Sequence, residues 1–286
     1  MTFCAYSVPA MNLARSPLGH DVAYPDHYDA TLLFPIDRAT NRGALGIAGA
    51  LPFKGQDIWN AYELSWLNER GKPQVALGRF TVPAESPRIV ESKSFKLYLN
   101  SLNQTRLPDA AAYIERVVGD VSTAVGAPVG LELTLSHRFG EARIGVLPGE
   151  TLDDLDIDID SDRHTPDSAL LRCVPGADIV EETLTSELLK SNCPVTGQPD
   201  WAGVQIRYRG PKIDRPALLS YIVSFRQHAE FHEHCVERIF MDLMAACGPA
   251  ELCVYARYTR RGGLDINPWR ATPGMAAPAD IRTARQ

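Results

Sequence analysis

Ile114-Glu115-Arg116-Val117-Val118 is answered 122 residues later by Val236-Glu237-Arg238-Ile239-Phe240. The same shift, without a gap, lays Asp120 on Asp242, Ala124 on Ala246, Gly126 on Gly248, Arg138 on Arg260 and Gly140 on Gly262. Both windows read as helix, Gly turn, strand. Two amphipathic helices can share apolar spacing by chance, but the matched charged residues and the common turn favour a duplicated unit. The fold class that follows is α+β: two related units, each an antiparallel sheet with helices on one face.

Working outward, Asp109 caps a helix that runs to about Val125 and carries Tyr113, Val117, Val121 and Val125 on one face. Gly126-Ala127-Pro128 ends it, and Val129 to Leu135 reads as a strand. Upstream, Tyr62 to Leu67 alternates and Gln74 to Val82 is apolar, with Gly71-Lys72-Pro73 as the turn between two strands. Ser92 to Asn103 has helical spacing through Phe95, Leu99 and Leu102. In the second half, Asp178 to Ser191 reads as a helix and Val204 to Tyr208 as a strand. Asp214 caps a helix to about Gln227, Phe231 to Cys247 is another, and Leu252 to Thr259 is the final strand, stopped by Gly262-Gly263. The connector 140–166 carries Asp153, Asp154, Asp156, Asp158, Asp160 and Asp162. It lacks the Gly and terminal Glu of a calcium loop and is expected to be a solvated, one-sided edge strand. The expected division is an irregular arm at 1–28, one unit at 29–160 and a second at 161–286.

The 286 residues are 45% hydrophobic and 22% charged, enough to build a real core. A net charge of -6 argues against sequence-independent nucleic-acid binding, although Arg257, Arg260 and Arg261 cluster locally. No run is apolar enough to span a bilayer and the first twenty residues do not read as a secretory signal, so a cytoplasmic protein is expected. The six cysteines include no C-x-x-C pair, and disulfides are not expected. No G-x-G-x-x-G follows a strand, so no Rossmann domain is indicated.

Cys247 and Cys253 lie on apolar faces and read as core. Cys193, in Lys190-Ser191-Asn192-Cys193-Pro194, sits among polar residues where Pro194 breaks the element, a setting open to thiolate chemistry. Asp200 follows beside Trp201. A carboxyl against an indole in a poorly solvated pocket is expected to have a raised pKa and to suit proton donation, whereas the bland alternative is an exposed turn Asp. His228, His232 and His234 with Glu230, Glu233 and Cys235 form the densest set of metal-ligand types. His228 and His232 share a helix face if the helix is continuous. The motif is neither H-E-x-x-H nor that of the zinc deaminases, which leaves a zinc site weakly supported beside a loop that recognises a heterocycle. Glu91-Ser92-Lys93-Ser94-Phe95-Lys96-Leu97-Tyr98 opens a helix. It reads either as a capped amphipathic helix with two surface lysines or as an anion site at a helix start with Lys93.

Taken together, Glu91 to Tyr98, Ser191-Asn192-Cys193, Gln198-Pro199-Asp200-Trp201, Phe231-His232-Glu233 and Tyr258 to Arg270 resemble the NADPH-dependent 7-cyano-7-deazaguanine reductases in their long, two-domain form. The likeness runs from about Tyr28 to Arg270. It implies tandem tunnelling-fold units, each an antiparallel sheet with two helices packed on one face, in a homodimer. It also implies NADPH, two per turnover, no metal and no tRNA contact. By the same resemblance, Cys193 is the thioimide-forming nucleophile and Asp200 the proton donor. Val90, Glu91, Ser92, His232 and Glu233 would bind the base, and Ser92, Lys93, Arg261 and Gly262 would contact NADPH.

Overall fold

The computed structural model describes residues 24–160 and 165–286. Most of the expected N-terminal arm, with Cys4, and Asp162 of the connector lie outside these residues. In chain order the elements are β1 (Pro35–Asp37), α1 (Ala39–Ala44), β2 (Lys54–Leu67), β3 (Pro73–Pro83) and β4 (Arg88–Val90). Then follow α2 (Ser92–Ser101), α3 (Ala110–Val125), β5 (Gly130–Leu135), β6 (Glu150–Thr151) and β7 (Ile179–Asn192). The chain ends through β8 (Pro199–Pro211), α4 (Arg215–Val223), α5 (His232–Cys247), β9 (Glu251–Tyr258) and β10 (Leu264–Ala271).

One eight-stranded sheet runs through both halves in the order β5-β3-β2-β10-β9-β8-β7-β6. Its pairings are antiparallel except for the short β6 on β7. The seam between the halves is β2 on β10, in register from Leu264 opposite Ala61 to Ala271 opposite Lys54. Strand side chains alternate between faces, and the cores show it. Leu252, Val254, Ala256 and Tyr258 of β9 pack with Leu218, Ile222, Val236, Ile239 and Phe240 of α4 and α5. Phe80, Val82 and Trp59 pack with Phe95, Tyr98, Val117 and Val121 of α2 and α3. On the opposite face, Cys253, Tyr255, Trp269 and Ile58 close under Leu147 of the connector. The molecule is thus α+β, two antiparallel units each with two helices on one face, as the resemblance implies.

The duplication is visible in the bonding. Tyr98 Oη donates to Asp120 at 2.6 Å in the first unit, and Tyr221 Oη donates to Asp242 at 2.6 Å in the second. Gly126 and Gly248 end α3 and α5 in the left-handed region, each donating its N–H back into the last turn. The β2–β3 hairpin is bulged between Ala61 and Leu64, and the β7–β8 hairpin between Ser186 and Leu189.

Four expectations are corrected. Residues 178–191 are not a helix but strand β7. Thr183 and Thr185 are β-branched, and pairing along nearly all of β8 overrides the apolar spacing. Leu252 to Thr259 is not the last strand, because Gly262-Gly263 turns the chain into β10 instead of stopping it. The Asp-rich connector is a strand only at Glu150–Thr151. Beyond that, Leu152, Leu155 and Ile157 pack on the second core, and Asp153 fills the β7 bulge by accepting from Ser186 Oγ at 2.6 Å and Glu187 N at 2.8 Å. Finally, α5 begins at His232, so His228 and His232 share no helix face. Sequence reading also missed β1, α1 and the first half of β2.

Candidate active site

Cys193 is the first residue of the β7–β8 turn. Its N–H donates to Gln198 O at 2.9 Å, and its carbonyl accepts from Gly197 N at 3.0 Å. Gly197 holds φ +68°, where a side chain is strained. The β2–β3 turn repeats this pattern with inert residues: Asn68 N donates to Lys72 O at 3.0 Å, and Gly71 N, at φ +83°, donates to Asn68 O at 2.9 Å. The chain just before each turn is held alike. Asn192 N donates to His228 O and its carbonyl accepts from Glu230 N, as Leu67 does with Thr105 and Leu107. The reactive-looking cysteine therefore occupies a duplicated structural turn at the position of Asn68.

This turn closes one end of a cavity of about 550 Å³, counted with its open mouth. Cys193, Pro194 and Asp200 come from the turn and β8, and Glu230, Phe231, His232 and Glu233 from the start of α5. Thr259 and Arg261 come from the β9–β10 turn. The first unit adds Ile89, Val90, Ser92 and Lys96 from β4 and α2, while Trp59 of β2 and Leu264, Asp265 and Ile266 of β10 form the floor. The cavity straddles the seam, so neither unit makes it alone. Cys193 is 5% exposed, and that exposure faces this cavity.

Asp200 lies 3.3 Å from His232 Nε2 and 3.0 Å from Arg261 Nε. Burial pushes its carboxyl up, but His232, Arg261 and Lys96 outweigh burial and hold it below the usual carboxylate range. The expected raised pKa is thus corrected: Arg261, Lys96 and the His232 ring all face Asp200. His232 stacks on the Tyr258 ring at 3.7 Å and 2°, which fixes its plane, and its buried Nδ1 has no partner. Glu233 behaves oppositely. Burial, then the charge of Asp57, push its carboxyl up to about 7, and its Oε1 is buried without a partner. Two unsatisfied polar atoms beside one cavity are the mark of groups awaiting a ligand.

Two family profiles match the chain. One, described as nitrile reductase, 7-cyano-7-deazaguanine-reductase N-term, covers residues 24–133; the other, described as QueF-like protein, covers residues 199–276. The NADPH-dependent 7-cyano-7-deazaguanine reductase of Bordetella pertussis is 65% identical over 276 residues, covering 96% of this chain and 100% of that one. The enzymes of the same name from Burkholderia vietnamiensis and Albidiferax ferrireducens are each 58% identical, over 96% and 95% of this chain and 100% and 98% of theirs. This chain belongs to the family of NADPH-dependent 7-cyano-7-deazaguanine reductases. Among solved structures, the archaeosine synthase QueF-Like in its apo form aligns with TM-score 0.30 and 18% identity over 35% of this chain and 99% of that one, too slight a likeness to argue from.

Of the residues expected to act in this reductase family, the structure brings Val90, Ser92, Cys193, Asp200, His232, Glu233 and Arg261 onto one cavity. Glu91, Lys93 and Gly262 are not on its lining. Glu91 is fully buried as the cap of α2, accepting from Lys93 N at 2.6 Å and Ser94 N at 2.8 Å. The helix start is therefore already occupied by a carboxylate, and an anion must find other donors. Those are Arg261 and Lys96, whose amine burial and then Arg261 push down. Neither reading of the motif gave Lys96 a part in the site; its place four residues beyond Ser92, on the same face of α2, is the available signal. Gly262, at φ +54°, passes beside it, and a Cβ there would lie 3.1 Å from Lys96 Nζ. The three histidines go separate ways: His232 to Asp200, His234 to Asn41, and His228 to Glu230 at 2.7 Å. His228, Glu230 and Cys235 have ligand atoms within 4.8 Å of one another, but Arg238 already lies 3.3 Å from Glu230. The residues present fit an anionic reductant, since Arg261 and Lys96 line the same cavity as Cys193. Among the described residues, no helix is long and apolar enough to cross a membrane.

Proposed function

We propose that this chain reduces the nitrile of 7-cyano-7-deazaguanine to an aminomethyl group through a thioimide on Cys193, with two NADPH per turnover. The observation that carries this is the convergence of Cys193, Asp200, His232 and Glu233 on one cavity between the units. Glu233 Oε1 and His232 Nδ1, unpartnered and buried, suit the hydrogen-bonding edge of a purine-like base. A base seated there presents its cyano carbon to the Cys193 turn.

A nitrile carbon is a poor hydride acceptor, and sulfur addition makes it a better one. The sulfur–carbon bond forms, one π bond of the nitrile breaks, and the thiol proton ends on nitrogen. Asp200, ionised beside Arg261, takes that proton from Cys193 and delivers it to the nitrogen, so it serves as donor without a raised pKa. NADPH, when bound, supplies hydride to the carbon. Expulsion of the Cys193 sulfur leaves an imine that the closed pocket shields from water until a second reduction. Ser92, Lys93, Arg261 and Gly262 are assigned to the cofactor, and Lys96 joins them.

In this reading the first unit, 29–160, brings the cofactor motif and the second, 161–286, the nucleophile. The protein is a cytoplasmic homodimer, and its product feeds queuosine synthesis in tRNA. The outer edge of β5, unpaired among the described residues, is available for a second copy.

Intact-mass analysis after adding the cyano base without NADPH tests the reading. A gain of the whole base, lost in Cys193→Ala together with turnover, is expected. Turnover by Cys193→Ala, or no adduct on the intact chain, overturns the nucleophile.

A further inference from the structure

Strand β10 loses its hold on β9 just short of the cavity. Thr272 N donates to Leu252 O at 2.9 Å, so every second residue back along β10, Arg270 and then Pro268, turns its backbone to β9. Pro268 has no N–H to give, and the two strands pair no further than Trp269 with Tyr255. Tyr258, further along β9 and fully buried, would be left with an N–H and a carbonyl that meet no strand. Two side chains supply what the ladder lacks. Tyr258 N donates to Asn267 Oδ1 at 3.2 Å. Gln286 Nε2 donates to Tyr258 O at 3.0 Å and to Asn267 Oδ1 at 2.7 Å. The other end of the same amide, Gln286 Oε1, accepts from Arg257 Nε at 2.8 Å and Thr283 N at 3.1 Å. Gln286 is 7% exposed, lies beyond the residues that the second profile matches and is no part of the cavity lining. What it holds does reach the cavity: the Tyr258 ring carries His232 on its face, and His232 Nε2 meets Asp200.

We propose that Gln286 is a positioning residue for the reduction: its amide stands in for the missing strand at Tyr258, and through the Tyr258 ring it holds the imidazole of His232 against Asp200. The inference rests on the reading that Asp200 carries the Cys193 proton to the nitrile nitrogen. An imidazole stacked on a ring keeps its plane only as long as the ring keeps its own. Unlatched, the Tyr258 carbonyl must move to find another donor, because a buried acceptor without one is costly. The ring follows, the His232–Asp200 contact opens, and proton transfer slows. A displacement of this kind, set off far from the reacting atoms, lowers a rate by about ten- to a hundredfold. Gln286 works through two different ends, so its donor can be removed while its anchor stays.

Gln286→Glu makes that separation. The carboxylate keeps an acceptor for Arg257 and Thr283 but has no hydrogen to give Tyr258. Two measurements on the full chain are compared with the parent. Histidine-labelled protein gives the His232 ring-proton resonance, assigned by its loss in His232→Asn and displaced upfield by the Tyr258 face. Intact-mass time courses with saturating 7-cyano-7-deazaguanine give the rate of adduct formation on Cys193. In Gln286→Glu the resonance is expected to return toward that of an unstacked histidine, and the adduct rate to fall by about tenfold or more. Gln286→Met, of similar length but with no N–H donor, should do the same. A folded Gln286→Glu protein with both quantities unchanged overturns the inference, and so does a lost stack with an unchanged adduct rate. A slower adduct with the stack intact overturns it too, since Gln286 would then act by another route. No adduct on the parent overturns the nucleophile reading instead, and the resonance alone then decides whether Gln286 holds the imidazole. If Gln286→Glu does not fold, Gln286→Met carries the same comparison.

Discussion

Burial and the nearby Asp57 push the Glu233 carboxyl up to about 7 from an ordinary 4.5, so between these values the folded chain holds a proton that the unfolded chain has lost. Stability must fall as pH rises through that window, because the native state binds more protons there. Glu233→Gln removes the titration. Relative to the parent, the variant should gain on the order of 3 kcal/mol at pH 8 and little at pH 4.5, with base binding weakened at both. Urea midpoints at the two pH values check this, and an equal effect at both would show that Glu233 is not protonated by its surroundings. At this scale the candidate site was largely legible. Cys193 stood out because a thiol among polar residues before Pro194 is a poor core filler. The state of Asp200 was not legible, because Trp201 is its neighbour in sequence while Arg261 and His232, which decide its charge, come from two other elements.

The two hairpin turns allow a paired experiment. Gly71 and Gly197 both sit in the left-handed region and accept the same backbone role in duplicated turns. An alanine at either should cost about 1–2 kcal/mol of stability, the strain of a Cβ at that φ. Only Gly197→Ala should also slow adduct formation on Cys193, since Gly197 braces Cys193 and Gly71 braces Asn68. Thermal midpoints alongside intact-mass time courses separate the two effects, and equal adduct rates would mean that the turn does not set the sulfur's position. The same pairing explains what sequence reading missed. The repeat was read only through α3 and α5, where matched residues are dense. Carried 125 residues forward, the β2–β3 hairpin falls on residues 179–208, bulge on bulge, and would have turned the expected helix at 178–191 into β7. Apolar spacing there is ambiguous between helix and strand, and only a long-range partner, β8, resolves it. Strand β10 was hidden for a related reason. Asp265, Asn267, Pro268 and Arg270 are polar or strand-breaking, yet all are buried, because β10 lies inside the sheet between β2 and β9.

The units are joined by a continuous sheet and by three guanidinium groups and two carboxylates sealed behind the site. Arg270 is the hinge pin of that cluster, fully buried and shared between Asp57 of the first unit and Glu237 of the second. Taking two charges out of water is costly, and the cluster returns that cost only while each carboxylate keeps its guanidinium partners. Arg270→Ala removes one cation and leaves both carboxylates under-compensated in dry packing, which should cost about 3–5 kcal/mol. The loss should resist screening by salt, because the cluster lies beyond the reach of mobile ions. Breaking the exposed Arg138–Glu141 pair should leave the unfolding midpoint where it was. Since the cavity is walled by both units, Arg270→Ala should also loosen the floor that β10 and β2 lend it. The expected result is a lower urea midpoint, nearly unchanged between low and high salt, with base affinity falling in parallel. If Arg270→Ala left the midpoint intact, or if added salt restored it, the seam would be held by the sheet alone, and the charges behind Glu233 would be too well solvated to set its proton.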